Sequence, residues 1–167
     1  MSQLRRYYSA GNIYFVTTVT HLRRPILGEH IDLCQTAIQR TIRRFSVAIP
    51  AWVTMPEHVH LICEPRDLDL SQIMKNLKEN FAFLYRQRIG ARAGCVWQRR
   101  FWDHVIRDQN DLNRHIDYIH YNPVKHGLAR APREYPHSSF QDYLARGLYP
   151  FDWGEKEQFE FVGAYGE

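Results

Sequence analysis

The spacing of apolar and polar positions divides the chain into alternating extended and helical stretches. Ile13-Tyr-Phe-Val-Thr-Thr-Val-Thr20 is aromatic and β-branched throughout, which suits a strand. From His30 to Phe45 the residues Ile31, Leu33, Cys34, Ala37, Ile38 and Ile42 keep helical spacing, with arginines gathered toward the end. Val47 to Met55 reads as a second strand and His58 to Cys63 as a third, joined by the tight connection Met55-Pro56-Glu57. Leu70 to Ile89 is a long amphipathic helix with Ile73, Leu77, Phe81 and Leu84 on one stripe, and Gly90 to Gly94 breaks the pattern. Val96 to Arg107 reads as a further extended element. A last helix opens at Asn110 or Asp111, either of which can cap it, with Leu112, Ile116 and Ile119 on its apolar stripe. Tyr121 lies opposite that stripe and is expected to face away from the core. Pro123 is expected to end or kink the helix, and Lys125-His126-Gly127 supplies the cation and glycine of a helix end. The order β-α-β-β-α-β-α predicts an α+β fold, a ferredoxin-like split βαβ with an antiparallel sheet and an added C-terminal helix.

Two of these elements carry candidate chemistry. On a strand, His58 and His60 project to one face while Val59 turns to the other, toward a core. Two imidazoles side by side on a rigid strand form half of a divalent metal site, although two partly buried, hydrogen-bonded histidines would give the same pattern. Tyr118 and Asn122 are four residues apart and share one flank of the last helix, so a phenol oxygen and an amide oxygen can serve one site. On spacing alone, an interfacial aromatic beside the core is the more frequent case for Tyr118.

Taken together, Met55-Pro-Glu-His-Val-His60, Trp97-Gln-Arg-Arg-Phe-Trp102 and Asp117-Tyr-Ile-His-Tyr-Asn-Pro-Val-Lys-His-Gly-Leu128 closely resemble the REP-associated tyrosine transposases. These are a single-tyrosine branch of the His-hydrophobe-His endonucleases. The resemblance runs from Arg5 to Tyr143 and is most specific over 117–128. It implies that His58, His60 and Asn122 are metal ligands and that Tyr118 is a nucleophile forming a 5′-phosphotyrosine. Many related insertion-sequence transposases carry Gln at the third ligand position, and Asn fits the REP-associated subgroup. The implied activity is a metal-dependent endonuclease and strand transferase of single-stranded DNA at hairpin-forming repetitive extragenic palindromes. The cofactor would be Mg²⁺ or Mn²⁺, with the imidazoles favouring Mn²⁺. His115 and Glu57 are candidates for the base that deprotonates Tyr118. A replication-initiator nickase would carry accessory regions for which this chain has no room. A domesticated hairpin-binding protein without turnover would need none of Tyr118, His58, His60 and Asn122. An RNA-binding module of this fold would show an aromatic pair on its central strands and no metal site.

Charge adds a partner and a boundary. The 167 residues carry a net charge of +4, divided into +8 over residues 1–150 and −4 over 151–167. A basic body with an acidic tail suits a polyanionic partner and a segment that competes with it. Residues 1–150 are accordingly expected to form the transposase-like domain. The tail is expected to modulate DNA access without joining the core, docking through Phe151, Trp153, Phe159 and Phe161; equally, these aromatics could complete the fold. Trp97, Arg99 and Arg100 interleave aromatic and basic side chains as a single-strand surface would, and Arg5 and Arg6 could reach phosphate from an N-terminal arm. Strand alternation separates Trp97, Arg99 and Phe101 from Gln98, Arg100 and Trp102, so one set can simply be core. The 44% hydrophobic and 14% aromatic content fits a folded domain. Cys34, Cys63 and Cys95, an odd number at wide spacing, read as reduced thiols and not as a zinc site. No apolar run suits a membrane span and no signal peptide is visible, so a cytoplasmic monomer or homodimer working on nucleoid DNA is expected.

Overall fold

The computed structural model describes residues 11–156 and 159–166, which leaves Arg5 and Arg6 outside the described residues. Four strands, β1 (Tyr14–Val19), β2 (Trp52–Thr54), β3 (His58–Cys63) and β4 (Trp102–Val105), form an antiparallel sheet in the order β2-β3-β1-β4. The helices are α1 (Ile26–Glu29), α2 (Ile31–Phe45), α3 (Leu70–Ile89), α4 (Gln109–Lys125) and α5 (Phe140–Ala145). This is the ferredoxin-like arrangement, with α4 as the added helix. Every residue of the central strands β1 and β3 is buried, because helices or the C-terminal segment cover both faces of the sheet.

Register decides which side chains meet. Thr17 pairs with His60, Phe15 with Ile62 and Val19 with His58, and directly opposed residues point to the same face. Tyr14, Val16, Val59, Leu61 and Cys63 fill the other face, packed with Ile38 of α2 and Leu77 and Phe81 of α3. Val59 thus points to a core, as alternation requires. On the histidine face, Phe15, Val53 and Ile62 pack with Tyr118 and Ile119 of α4.

Several boundaries differ from the sequence pattern, each for a local reason. β2 keeps only three of the nine residues 47–55: Pro50 has no N–H for a ladder, and the stretch before it touches the sheet through the single bridge Ala48–Glu64. β4 begins only at Trp102; ahead of it Trp97 makes a single bridge to Thr20, and the carbonyls of Gln98 and Arg99 accept from Nζ of Lys78 (2.6 and 3.2 Å). Asp108, not Asn110 or Asp111, caps α4, its Oδ1 accepting from the Asp111 N–H at 2.9 Å. Pro123 does not end the helix. Its missing N–H costs only the bond to the Ile119 carbonyl, and the ladder resumes with the His126 N–H on the Asn122 carbonyl at 3.0 Å. The chain leaves α4 at Gly127, whose φ of +69° lets the Leu128 N–H return to the Pro123 carbonyl at 2.8 Å.

The largest correction concerns the C-terminal segment. Tyr121, expected to face outward, is 7% exposed because the rings of Trp153, Phe159 and Phe161 lie 6.2, 5.0 and 5.9 Å from it. Tyr165, in the segment expected to stay out of the core, is 9% exposed and joins the cluster around Phe15 and Tyr118. Aromatic burial there is compatible with solvation of Asp152, Glu155 and Glu160, which stay at the surface. Phe151 alone of the four candidate docking aromatics is largely exposed, beneath the Arg133 guanidinium. Among the described residues no helix is long and apolar enough to cross a membrane. All three thiols are free; burial pushes Cys34 and Cys63 up to about 12, which makes them inert.

Candidate active site

β3 and α4 build the site. The rings of His58 and His60 lie 4.6 Å apart on the strand, and the Tyr118 ring is 5.3 Å from that of His60. Tyr118 is 1% exposed, and Asn122, one turn further along α4, is fully buried. His126, a turn beyond Asn122, brings its ring within 5.6 Å of His58, so the last turns of α4 lie across the histidine pair. The four residues singled out in the sequence are therefore carried on two packed elements.

Hydrogen bonds fix the state of both imidazoles. The Thr17 hydroxyl has one proton and donates it to the Tyr165 carbonyl at 2.6 Å; it must then accept from Nδ1 of His60 at 2.7 Å. Nδ1 of His58 donates to the Glu57 carboxylate at 3.1 Å, and this bond holds the Glu57 carboxyl below the usual carboxylate range. In the neutral form of each ring, a donating Nδ1 leaves the lone pair on Nε2. Metal-binding histidines are commonly oriented through their other nitrogen in this way.

The remaining candidates separate. Glu57 is committed to His58. His115 is buried, with Nδ1 donating to the Asp111 carbonyl at 2.8 Å, and desolvation lowers its proton affinity. The Tyr118 hydroxyl instead accepts from Nζ of Lys125 at 3.0 Å. In the sequence Lys125 registers only as a helix-end cation; its spacing of two turns from Tyr118 was the available signal. Trp97 is 9% exposed, its indole N–H donates to the Lys78 carbonyl at 3.0 Å and its ring packs edge-on against Phe81. Trp97 bridges Thr20 in antiparallel register, and this pairing sets its ring in the core beside α3 instead of on the expected base-stacking surface. Arg99 and Arg100 are both exposed.

His104, Asp111 and His115 form a second cluster, their potential ligand atoms all within 4.8 Å of one another. Arg107 and Arg114 already approach the Asp111 carboxylate at 3.0 and 3.4 Å, and Arg107, with His104, holds it well below the usual carboxylate range. This is a charge-compensated network tying β4 to α4.

A His-hydrophobe-His strand facing a tyrosine helix on a ferredoxin-like sheet defines the single-tyrosine transposase class. The sequence pattern of the family described as "Transposase IS200 like" matches residues 9–122. The chain belongs to this family, and within it to the REP-associated tyrosine transposases. It is similar to the REP-associated tyrosine transposase of Escherichia coli strain K12, with 38% identity covering 92% of this chain and 91% of that protein. It is also similar to a REP-associated tyrosine transposase whose structure was solved bound to a REP hairpin. That comparison gives a TM-score of 0.85 and 36% identity, covering 100% of this chain and 98% of the other.

Proposed function

We propose that this chain is a divalent-metal-dependent endonuclease and strand transferase of single-stranded DNA, acting at hairpin-forming repetitive extragenic palindromes through a 5′-phosphotyrosine on Tyr118. The observation that carries this reading is the Tyr118 ring 5.3 Å from His60, on a helix whose following turns lie over the His58–His60 pair. The hairpin-bound relative, alike along the whole chain, supports hairpin DNA as the substrate.

His58, His60 and Asn122 fit a divalent cation: two imidazoles in the Nε2 lone-pair tautomer and a buried amide make a mixed nitrogen and oxygen donor set suited to Mg²⁺ or Mn²⁺. Such an ion, when bound, withdraws charge from the scissile phosphate and the departing 3′ oxygen. The chain's own residues do the rest. The Tyr118 oxygen attacks phosphorus, the bond to the 3′ oxygen breaks, and a 3′ hydroxyl is released. Because the bond to Tyr118 conserves the phosphodiester energy, a 3′ hydroxyl can later displace the tyrosine and rejoin DNA. Arg99 and Arg100 hold phosphates of the strand ahead of β4.

A labelled single-stranded hairpin incubated with the protein and Mn²⁺ is expected to yield a covalent protein–DNA adduct on a denaturing gel; binding without adduct would favour the non-catalytic hairpin binder. His58→Ala or His60→Ala should lower metal-stimulated cleavage by roughly 100-fold or more, since one of three protein ligands is lost. Cleavage that persists unchanged in excess chelator would remove the metal from the scheme. Hairpin affinity should fall steeply with salt, with a slope of about −0.7 per phosphate neutralised, and Arg99→Ala and Arg100→Ala should each shallow it by about that amount. Equal affinity for a blunt duplex of the same sequence would count against hairpin recognition.

A further inference from the structure

Lys125 occupies the last position of α4, and its Nζ donates to the Tyr118 oxygen at 3.0 Å while lying 4.9 Å from the centre of that ring. The two residues are seven apart, two helical turns, and so share a flank; helical side chains lean toward the N-terminus, which tips the lysine back over the tyrosine. The passage of α4 through Pro123 makes this possible, because a helix ending at Asn122 would not hold Lys125 on that flank. Lys125 is exposed, yet its ammonium is held at the one polar side-chain atom of a buried ring. Holding that long chain in place costs side-chain entropy that a solvated helix-end lysine would keep.

We propose that Lys125 is a catalytic residue of the Tyr118 reaction, its ammonium aiming the phenol oxygen and stabilising the negative charge which that oxygen carries on entering and leaving the phosphotyrosine. The proposal rests on Tyr118 being the nucleophile. In cleavage a bond forms between the Tyr118 oxygen and phosphorus as the bond from phosphorus to the 3′ oxygen breaks; the proton lost by the phenol is balanced by the one gained by the new 3′ hydroxyl. Rejoining reverses each change, with the tyrosine oxygen as leaving group. Lys125 remains an ammonium throughout and acts by charge and direction, as preorganised donors do at developing oxyanions.

Lys125→Met and Lys125→Arg test this in two single-turnover assays: cleavage of a labelled hairpin with Mn²⁺, and rejoining of the purified covalent adduct to an added strand with a 3′ hydroxyl. The Met variant is expected to slow both steps about 100-fold at saturating DNA, with hairpin Kd within a few-fold of wild type and Tm unchanged. The Arg variant, which keeps the charge in another geometry, should recover about tenfold of that loss. Wild-type rates in the Met variant, alongside an inactive Tyr118→Phe, would overturn the role of Lys125 and leave the nucleophile standing. A loss confined to hairpin Kd would make Lys125 a phosphate contact and also overturn it. Full cleavage by Tyr118→Phe would remove the nucleophile and Lys125 with it.

Discussion

Tyr118→Phe is expected to abolish cleavage and adduct formation while hairpin binding stays within a few-fold of wild type. The variant deletes one oxygen and keeps the ring, so its packing against Phe15, His60 and Tyr165 at 5.9, 5.3 and 3.8 Å is retained. The bond from Lys125 is lost, and with the ring packing kept the fold should survive nearly unchanged. With no oxygen to attack phosphorus, single-turnover cleavage should fall by roughly 10⁴-fold or more, the scale seen when a nucleophile is removed. Tyr121 is the control, three residues on and packed beneath Trp153, Phe159 and Phe161 instead of over β3. Tyr121→Phe should cleave normally, and peptide mapping of the wild-type adduct should place DNA on Tyr118. An adduct on Tyr121, or undiminished cleavage by Tyr118→Phe, would sink the assignment.

The parts of this site that were legible in the sequence are those set by short-range periodicity. Alternation alone places His58 and His60 together and Val59 opposite, and a four-residue interval puts Tyr118 and Asn122 on one flank. What supports them was hidden because it depends on pairing across distance. Thr17 holds His60 only because β1 and β3 pair in this register, and the carbonyl that fixes its hydroxyl belongs to Tyr165, 148 residues away. Alternation left open which face of 97–102 is core, and the choice falls on Trp97 because it bridges Thr20 of the sheet beside Phe81 of α3. Pro123 argued for a helix end because a missing N–H is a local fact, whereas the bonds that carry α4 on to Lys125 are made by its neighbours. The C-terminal segment carries five acids and five aromatics; the acids set its charge, but the aromatics decide where it lies.

That segment gives the other large expected effect. The Tyr165 ring stacks on Tyr118 at 3.8 Å and 13°, Phe161 meets Tyr118 edge-on at 5.2 Å, and the Tyr165 carbonyl is tied to Thr17 at 2.6 Å. Gly166 follows at a φ of +76°, so close to Trp102 that an added Cβ would come within 2.6 Å of the indole-bearing carbon. This cover is expected to compete with a DNA strand that approaches Tyr118. Burying an aromatic side chain is worth about 1.5–3 kcal/mol, which would hold the closed arrangement over the open one by roughly 10- to 150-fold. Tyr165→Ala or Gly166→Val should therefore raise hairpin cleavage by about 10-fold or more at sub-saturating DNA. Truncation after Pro150 should give a similar gain, since it also removes a −4 charge that is expected to compete with phosphate. It should also cost stability, because Tyr121 loses the three rings that cover it; the point variants leave those rings in place and should lower Tm less. Melting curves beside cleavage rates for all three proteins separate a gate from a structural strap. A fall in Tm with no gain in cleavage by Tyr165→Ala or Gly166→Val would show that the segment only completes the fold.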